Sequence, residues 1–119
     1  MAKTRIGING FGRIGRSSFK IAFERDDIEI VAINDLTDTK TLAYLLKHDS
    51  NYGTYHYDVS SDDTGIIVDG KHITVTAEKD PAALPWGTLQ VDVVIESTGR
   101  FTAKEDAELH IKAGAKRVV

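Results

Sequence analysis

The chain has 119 residues, 41% of them hydrophobic, and its 15 lysines and arginines against 18 aspartates and glutamates give a formal net charge of -3. These are the proportions of one globular domain or part of one, without the basic excess that drives binding to a phosphate backbone, so no nucleic-acid partner is expected. Cysteine is absent, so these residues hold no disulfide, thiolate metal site or cysteine nucleophile.

Residues 4–9 read as a strand with Ile6 and Ile8 on one face. No apolar stretch precedes them and no run nears the roughly 18 residues of a membrane span, so a cytoplasmic chain without a membrane partner is expected. A glycine-rich turn follows, then a helix over about 12–25. Its inward stripe is expected to be Ile14, Ser18, Ile21 and Ala22, widened by Phe19 and Phe23. Residues 28–33, IEIVAI, form a nearly continuous apolar strand of the kind covered on both faces. Asp38 or Thr39 is placed to cap a second helix ending near His48, with Leu42, Leu45 and Leu46 inward.

Beyond Asn51-Tyr52-Gly53 the pattern turns to short β segments over 55–59, 65–68 and 71–76. Asp69-Gly70 between two of them predicts a two-residue hairpin turn. Both prolines fall in the 80–86 stretch, which predicts a loop or a single helical turn with Trp86 packed beneath it. Residues 91–96, VDVVIE, read as another buried strand. Thr102 and Glu105 have capping-box spacing for a last helix that runs to Ala113 and closes at Gly114, and residues 116–119 begin a further strand. Strands alternating with helices predict a parallel sheet with right-handed crossovers, interrupted by a small antiparallel insertion.

Gly10-Phe11-Gly12-Arg13-Ile14-Gly15 matches G-x-G-x-x-G between a strand and a helix, and Asp35 stands at the end of the next strand. Gly10 permits the tight turn, Gly12 lets a pyrophosphate reach the backbone, and Gly15 lets the helix lie against the sheet. The helix start offers N–H groups and roughly +0.5 of a charge to the phosphates. Asp35 is placed to accept the adenosine ribose hydroxyls. It also opposes a 2′-phosphate by about 4 kcal/mol per charge pair at about 4 Å and an effective dielectric of 20, so NAD is expected over NADP. The fold expected is a Rossmann-like, doubly wound α/β sheet, one domain over residues 1–119 and truncated at its C-terminal edge. The plainer alternative is a tight strand-to-helix turn with no ligand.

The segments IGINGFGRIGR (6–16), AINDL (32–36), LLKHDSNYG (45–53), DPAALPW (80–86), ESTGRF (96–101) and AGAKRVV (113–119) together resemble phosphorylating, NAD-dependent glyceraldehyde-3-phosphate dehydrogenases across the whole chain. The resemblance implies that Asn9, Gly10, Phe11 and Gly12 line the pyrophosphate turn, with Arg13 and Ile14 presenting backbone amides. It implies Asn34 among the cofactor-binding residues, Asp35 at the adenosine ribose, Leu36 and Phe101 on either side of the adenine, Lys79 near it, and Ser97, Thr98 and Gly99 at the edge of the site. Lys79 as a solvated loop lysine and residues 97–99 as a plain turn remain open alternatives.

The same resemblance implies a glycolytic oxidoreductase that works as a cytoplasmic homotetramer. Its mechanism is thiolate attack on a sugar-phosphate aldehyde, hydride transfer to NAD and phosphorolysis of the thioester. The catalytic cysteine and histidine and the phosphate-binding residues of that family lie beyond this stretch, so the 119 residues are expected to bind cofactor and to be inactive alone. An erythrose-4-phosphate dehydrogenase segment and a stand-alone nucleotide-binding module stay as alternatives. His48, His56, His72 and His110 sit on separate elements without ligand spacing, and no metal or catalytic residue is expected among them. Asp26-Asp27 and Asp62-Asp63 read as solvated turns. The basic pairs Arg16/Lys20 and Lys112/Lys116 read as helix surface.

Overall fold

A computed structural model describes residues 4–48, 57–78, 84–97, 108 and 110–118. In chain order, β1 (Thr4–Asn9) leads to α1 (Arg13–Phe23), β2 (Ile28–Asn34), α2 (Thr39–His48), β3 (Val59–Asp62), β4 (Gly65–Val68), β5 (Lys71–Thr76), β6 (Val93–Glu96) and β7 (Arg117–Val118). The described strands form one seven-stranded sheet in the order β3-β4-β5-β2-β1-β6-β7. From β5 to β7 the neighbours are parallel, and β3 and β4 run antiparallel at one end. The expected antiparallel insertion is therefore an extension of the main sheet. Its last strand, β5, pairs in parallel with β2 through Ala32↔Thr74 and Asn34↔Thr76.

The order places β1 between β2 and β6, so the chain leaves toward opposite sides of the sheet after the first two strands. Such a switch point opens a crevice at the carboxyl ends of the central strands. The turn Asp69-Gly70 has φ of 51° and 79° at its two residues, the conformation that sets the expected tight hairpin. Asp38 caps α2 by accepting the Thr41 N–H at 2.7 Å. Of the leucines expected inward, Leu42 and Leu46 are buried and Leu45 is half-buried.

Each sheet face carries its own core. On one, Phe19, Ala22, Leu42, Ala43 and Leu46 pack over Ile6, Ile8, Ile30, Ile33, Ile66, Val68 and Ile73. On the other, Trp86 gathers Ala32, Leu84, Val91, Val94 and Ala115. Trp86 thus packs as expected, and Gly7 makes the space, since a Cβ there would stand 2.7 Å from Cζ3 of the indole.

The inward face of α1 differs from the expected stripe. Gly15, Phe19 and Ala22 are buried, whereas Ile14 and Ile21 are each 71% exposed. The helix is turned by its aromatic residues: Phe19 meets Phe11 edge-on at 5.7 Å and stacks on Phe23 at 5.4 Å. Burying two rings removes more apolar area from water than burying two isoleucines, and 15, 19 and 22 follow the i, i+4, i+7 spacing of one face. The last helical residues lie at 108 and 110–112, and Gly114, at φ 117°, ends them as expected. The expected strand over 55–59 survives in the described residues only at Val59, where β3 begins. Residues 49–56 and the Thr102/Glu105 capping box lie outside the described residues.

Candidate dinucleotide site

The carboxyl ends of β1, β2 and β6 converge on the glycine turn. Gly10 N–H donates to the Asn34 carbonyl at 2.8 Å, and Ser97 N–H to the Asn9 carbonyl at 2.9 Å. The Ser97 hydroxyl adds a 2.6 Å bond to the Gly10 carbonyl. Asp35 reaches over the turn from the end of β2. One carboxylate oxygen accepts the Phe11 N–H at 2.7 Å and the other accepts the Thr37 N–H at 2.9 Å. A carboxylate has further lone pairs, so each oxygen can still accept a hydroxyl. Arg16, expected as plain helix surface, donates from Nη1 to the Phe11 carbonyl at 2.9 Å and so braces the same turn.

The three motif glycines answer to different demands. Gly10 has φ 90°, which a side chain would strain. At Gly15 a Cβ would fall 2.2 Å from the Gly10 carbonyl oxygen and 2.9 Å from Oγ of Ser97, so glycine is what lets α1 touch the turn. Gly12 has φ -77° and ψ -163°, ordinary extended backbone, and among the described residues a Cβ there would meet nothing within 4 Å. Apart from its place as the N-cap of α1, where glycine is mildly favoured over alanine, nothing among the described residues asks for glycine at 12. Space left open in front of a helix that has no acidic residue in its first turn and no side-chain cap fits a phosphate.

Of the residues expected to bind cofactor, the structure brings together Asn9, Gly10, Phe11, Gly12, Arg13, Ile14, Asn34, Asp35, Leu36 and Ser97 at this crevice. Gly12, Arg13 and Ile14 are exposed, and Leu36, 46% exposed just past Asp35, offers an apolar surface beside the carboxylate. Phe11, by contrast, is buried in the core against Phe19, so only its backbone borders the turn. Lys79, Thr98, Gly99 and Phe101 lie outside the described residues.

Beneath the turn runs a buried polar network that local patterning gives no sign of. Asn9 and Asn34 are both buried, and Nδ2 of Asn34 donates to Oδ1 of Asn9 at 2.8 Å. Nδ2 of Asn9 donates to Oε2 of Glu96 at 2.7 Å, and the same oxygen lies 2.6 Å from Nε2 of His110. Expected as a polar position on the last helix, His110 is fully buried. Its partners are distant in sequence, so no motif spacing announces them. His72 behaves as a hairpin residue bound to Thr64 and Asp62, and His48 lies against the Tyr44 ring at 4.6 Å. His56 is outside the described residues. Among the described residues, no group of three histidine, aspartate or glutamate side chains is placed to hold a metal, and no helix is long and apolar enough to cross a membrane.

Comparison with known proteins agrees with this geometry. The family model described as "Glyceraldehyde 3-phosphate dehydrogenase, NAD binding domain" matches residues 4–104. The chain is 57% identical to glyceraldehyde-3-phosphate dehydrogenase 1 of Bacillus cereus over 116 residues, covering 98% of this chain and 35% of that protein. It is 56% identical to the Geobacillus stearothermophilus enzyme of that name over 115 residues, 97% of this chain and 34% of the relative. To the Thermotoga maritima one it is 59% identical over 117 residues, 97% and 35%. The chain thus spans about a third of the length of the curated relatives it matches.

Proposed function

Because the chain belongs to the glyceraldehyde-3-phosphate dehydrogenase family, whose NAD-binding domain it matches, we propose that its glycine turn and Asp35 hold the adenosine and pyrophosphate of NAD. The backbone of 10–14 wraps the pyrophosphate, the start of α1 faces the phosphates, and Asp35 accepts the ribose hydroxyls. Leu36 gives the adenine an apolar wall. Lys79, Thr98, Gly99 and Phe101 complete the site by resemblance. The observation that carries this reading is Gly12, beside which the described residues leave space open within 4 Å for a bound pyrophosphate.

The domain serves an NAD-dependent oxidoreductase that oxidises and phosphorylates the aldehyde of glyceraldehyde 3-phosphate in glycolysis, acting as a cytoplasmic homotetramer. When bound, NAD supplies the hydride acceptor. The residues of this chain bind and orient it. They contain no cysteine, so the thiolate that the family mechanism needs must come from residues outside these 119, and the 119 by themselves form an inactive cofactor domain.

The test is Asp35→Asn, which keeps an acceptor for the Phe11 N–H but removes the charge. NAD affinity should fall at least about tenfold, one kcal-scale hydrogen-bonded charge being worth that much. NADP affinity should fall less, because repulsion of the 2′-phosphate is relieved. Equal losses for the two cofactors, measured by calorimetric titration, would remove Asp35 from the ribose.

A further inference from the structure

The buried network under the turn has every hydrogen assigned by its two ends. At one end, the Glu78 N–H donates to Oδ1 of Asn34 at 2.9 Å, joined by the Thr76 hydroxyl at 2.7 Å, and Nδ2 of Asn34 donates to the Glu78 carbonyl. Backbone donors and acceptors cannot exchange roles, so the Asn34 amide has one orientation. Its Nδ2 also donates to Oδ1 of Asn9, which fixes Asn9 in turn, and Nδ2 of Asn9 then donates to Glu96.

At the other end stands Trp86, the chain's one tryptophan. Its indole N–H only donates, and it reaches Nδ1 of His110 at 3.0 Å. Nδ1 is therefore the acceptor, and the ring proton sits on Nε2, aimed at Oε2 of Glu96 2.6 Å away. Oε2 receives both Asn9 and His110, whose nitrogens come to 3.5 Å of each other only because they share it. Four side chains of this relay, Asn9, Asn34, Trp86 and His110, are at most 5% exposed, and the Glu96 side chain is 14% exposed.

The relay crosses β5, β2, β1 and β6 and ends in the last helix. It passes through Asn9, the residue before Gly10, and Asn34, whose carbonyl receives the Gly10 N–H. We propose that His110, held in its Nε2–H form by Trp86, is a positioning residue for cofactor binding: through Glu96 and Asn9 it fixes where the dinucleotide turn stands. His110 touches no part of the proposed NAD path. The inference rests on the turn being the NAD site.

The test uses the full-length protein and NAD as probe. His110→Gln offers a carbonyl oxygen toward Trp86 and an N–H toward Glu96, whereas His110→Leu offers neither and leaves the Glu96 carboxylate one donor short. NAD affinity in His110→Leu should fall at least about tenfold, and His110→Gln should restore it to within about threefold of wild type. Equal affinities in all three proteins, or equal losses in both variants, would overturn the positioning role. Wild type that does not bind NAD would instead overturn the site itself. If His110→Leu fails to fold, two measurements decide the matter. Nitrogen NMR of wild type at pH 7 must show the proton on Nε2, which Trp86 and the Glu96 carboxylate both favour, and Trp86→Phe must weaken NAD binding. A proton on Nδ1 in wild type, or unchanged binding in Trp86→Phe, would sink the proposal.

Discussion

The three glycines of the turn, within six residues of one another, serve separate physical ends, and mutation should separate them. At Gly12 the backbone is in a region open to any residue, and a methyl group meets no atom of the described residues within 4 Å. Gly12→Ala should therefore change stability by no more than about 1 kcal/mol, the lower entropy of the unfolded chain offsetting alanine's poorer fit at the N-cap of α1. NAD affinity should nonetheless drop at least about tenfold, because the methyl occupies the approach to the backbone. Gly15→Ala should lower both, since its Cβ would lie 2.2 Å from the Gly10 carbonyl and push α1 off the turn. Thermal melts beside NAD titrations of the two variants make the check; parallel losses at Gly12 would return that glycine to the fold.

At the scale of the element, the β3–β4 hairpin is stapled by one carboxylate. Oδ1 of Asp62 receives the Thr64 hydroxyl and N–H, each at 2.8 Å, and the Gly65 N–H at 2.9 Å, with Nε2 of His72 at 3.4 Å. These bonds favour the ionised form, the Thr64 hydroxyl most, and lower the Asp62 carboxyl from 3.8 to about 2. A carboxyl lowered on folding stabilises the folded state fully above its unfolded value, and the contribution fades as pH falls through the folded one. Wild type should therefore exceed Asp62→Asn in melting temperature at pH 5, with the gap closing between about pH 4 and pH 2. A gap that stays constant over that range would mean that the charge at 62 does not hold the turn. Asp62 read in isolation as a solvated turn acid; its staple depends on Thr64 two residues on, a spacing that Asx turns share with many unstapled loops.

Across the whole molecule, the sheet is covered on both faces, and the faces do different work. The α1–α2 face holds the larger core, centred on the Phe11, Phe19 and Phe23 rings. Phe19→Ala should cost about 3–5 kcal/mol in denaturant unfolding, as deletion of a fully buried ring does. Ile21→Ala, two residues along the same helix but 71% exposed, should stay within about 0.5 kcal/mol. Similar costs at both positions would mean that α1 is rotated from the orientation described. The opposite face, built on Trp86, carries the polar relay to the turn, so its packing bears on ligand geometry as well as on stability.

The parts of this protein fixed by local chemistry were legible before any fold was known. Gly10's turn, the Asp69-Gly70 hairpin, the Asp38 cap and the Gly114 stop each depend on a few neighbouring residues, and the order of strands and helices follows from hydrophobic periods of two and 3.6. The glycine turn with Asp35 was legible too, because its spacing is set by one strand, one helix and the next strand. Tertiary structure alone decided which way α1 faces, since Ile14 and Phe19 are equally apolar and the choice depends on which rings meet across the sheet. It alone joined the hairpin to the main sheet through β5. It alone brought Asn9, Asn34, Glu96, Trp86 and His110 into one relay, because a hydrogen bond such as that from Asn9 to Glu96, 87 positions apart, leaves no period in the sequence and exists only once the strands have paired.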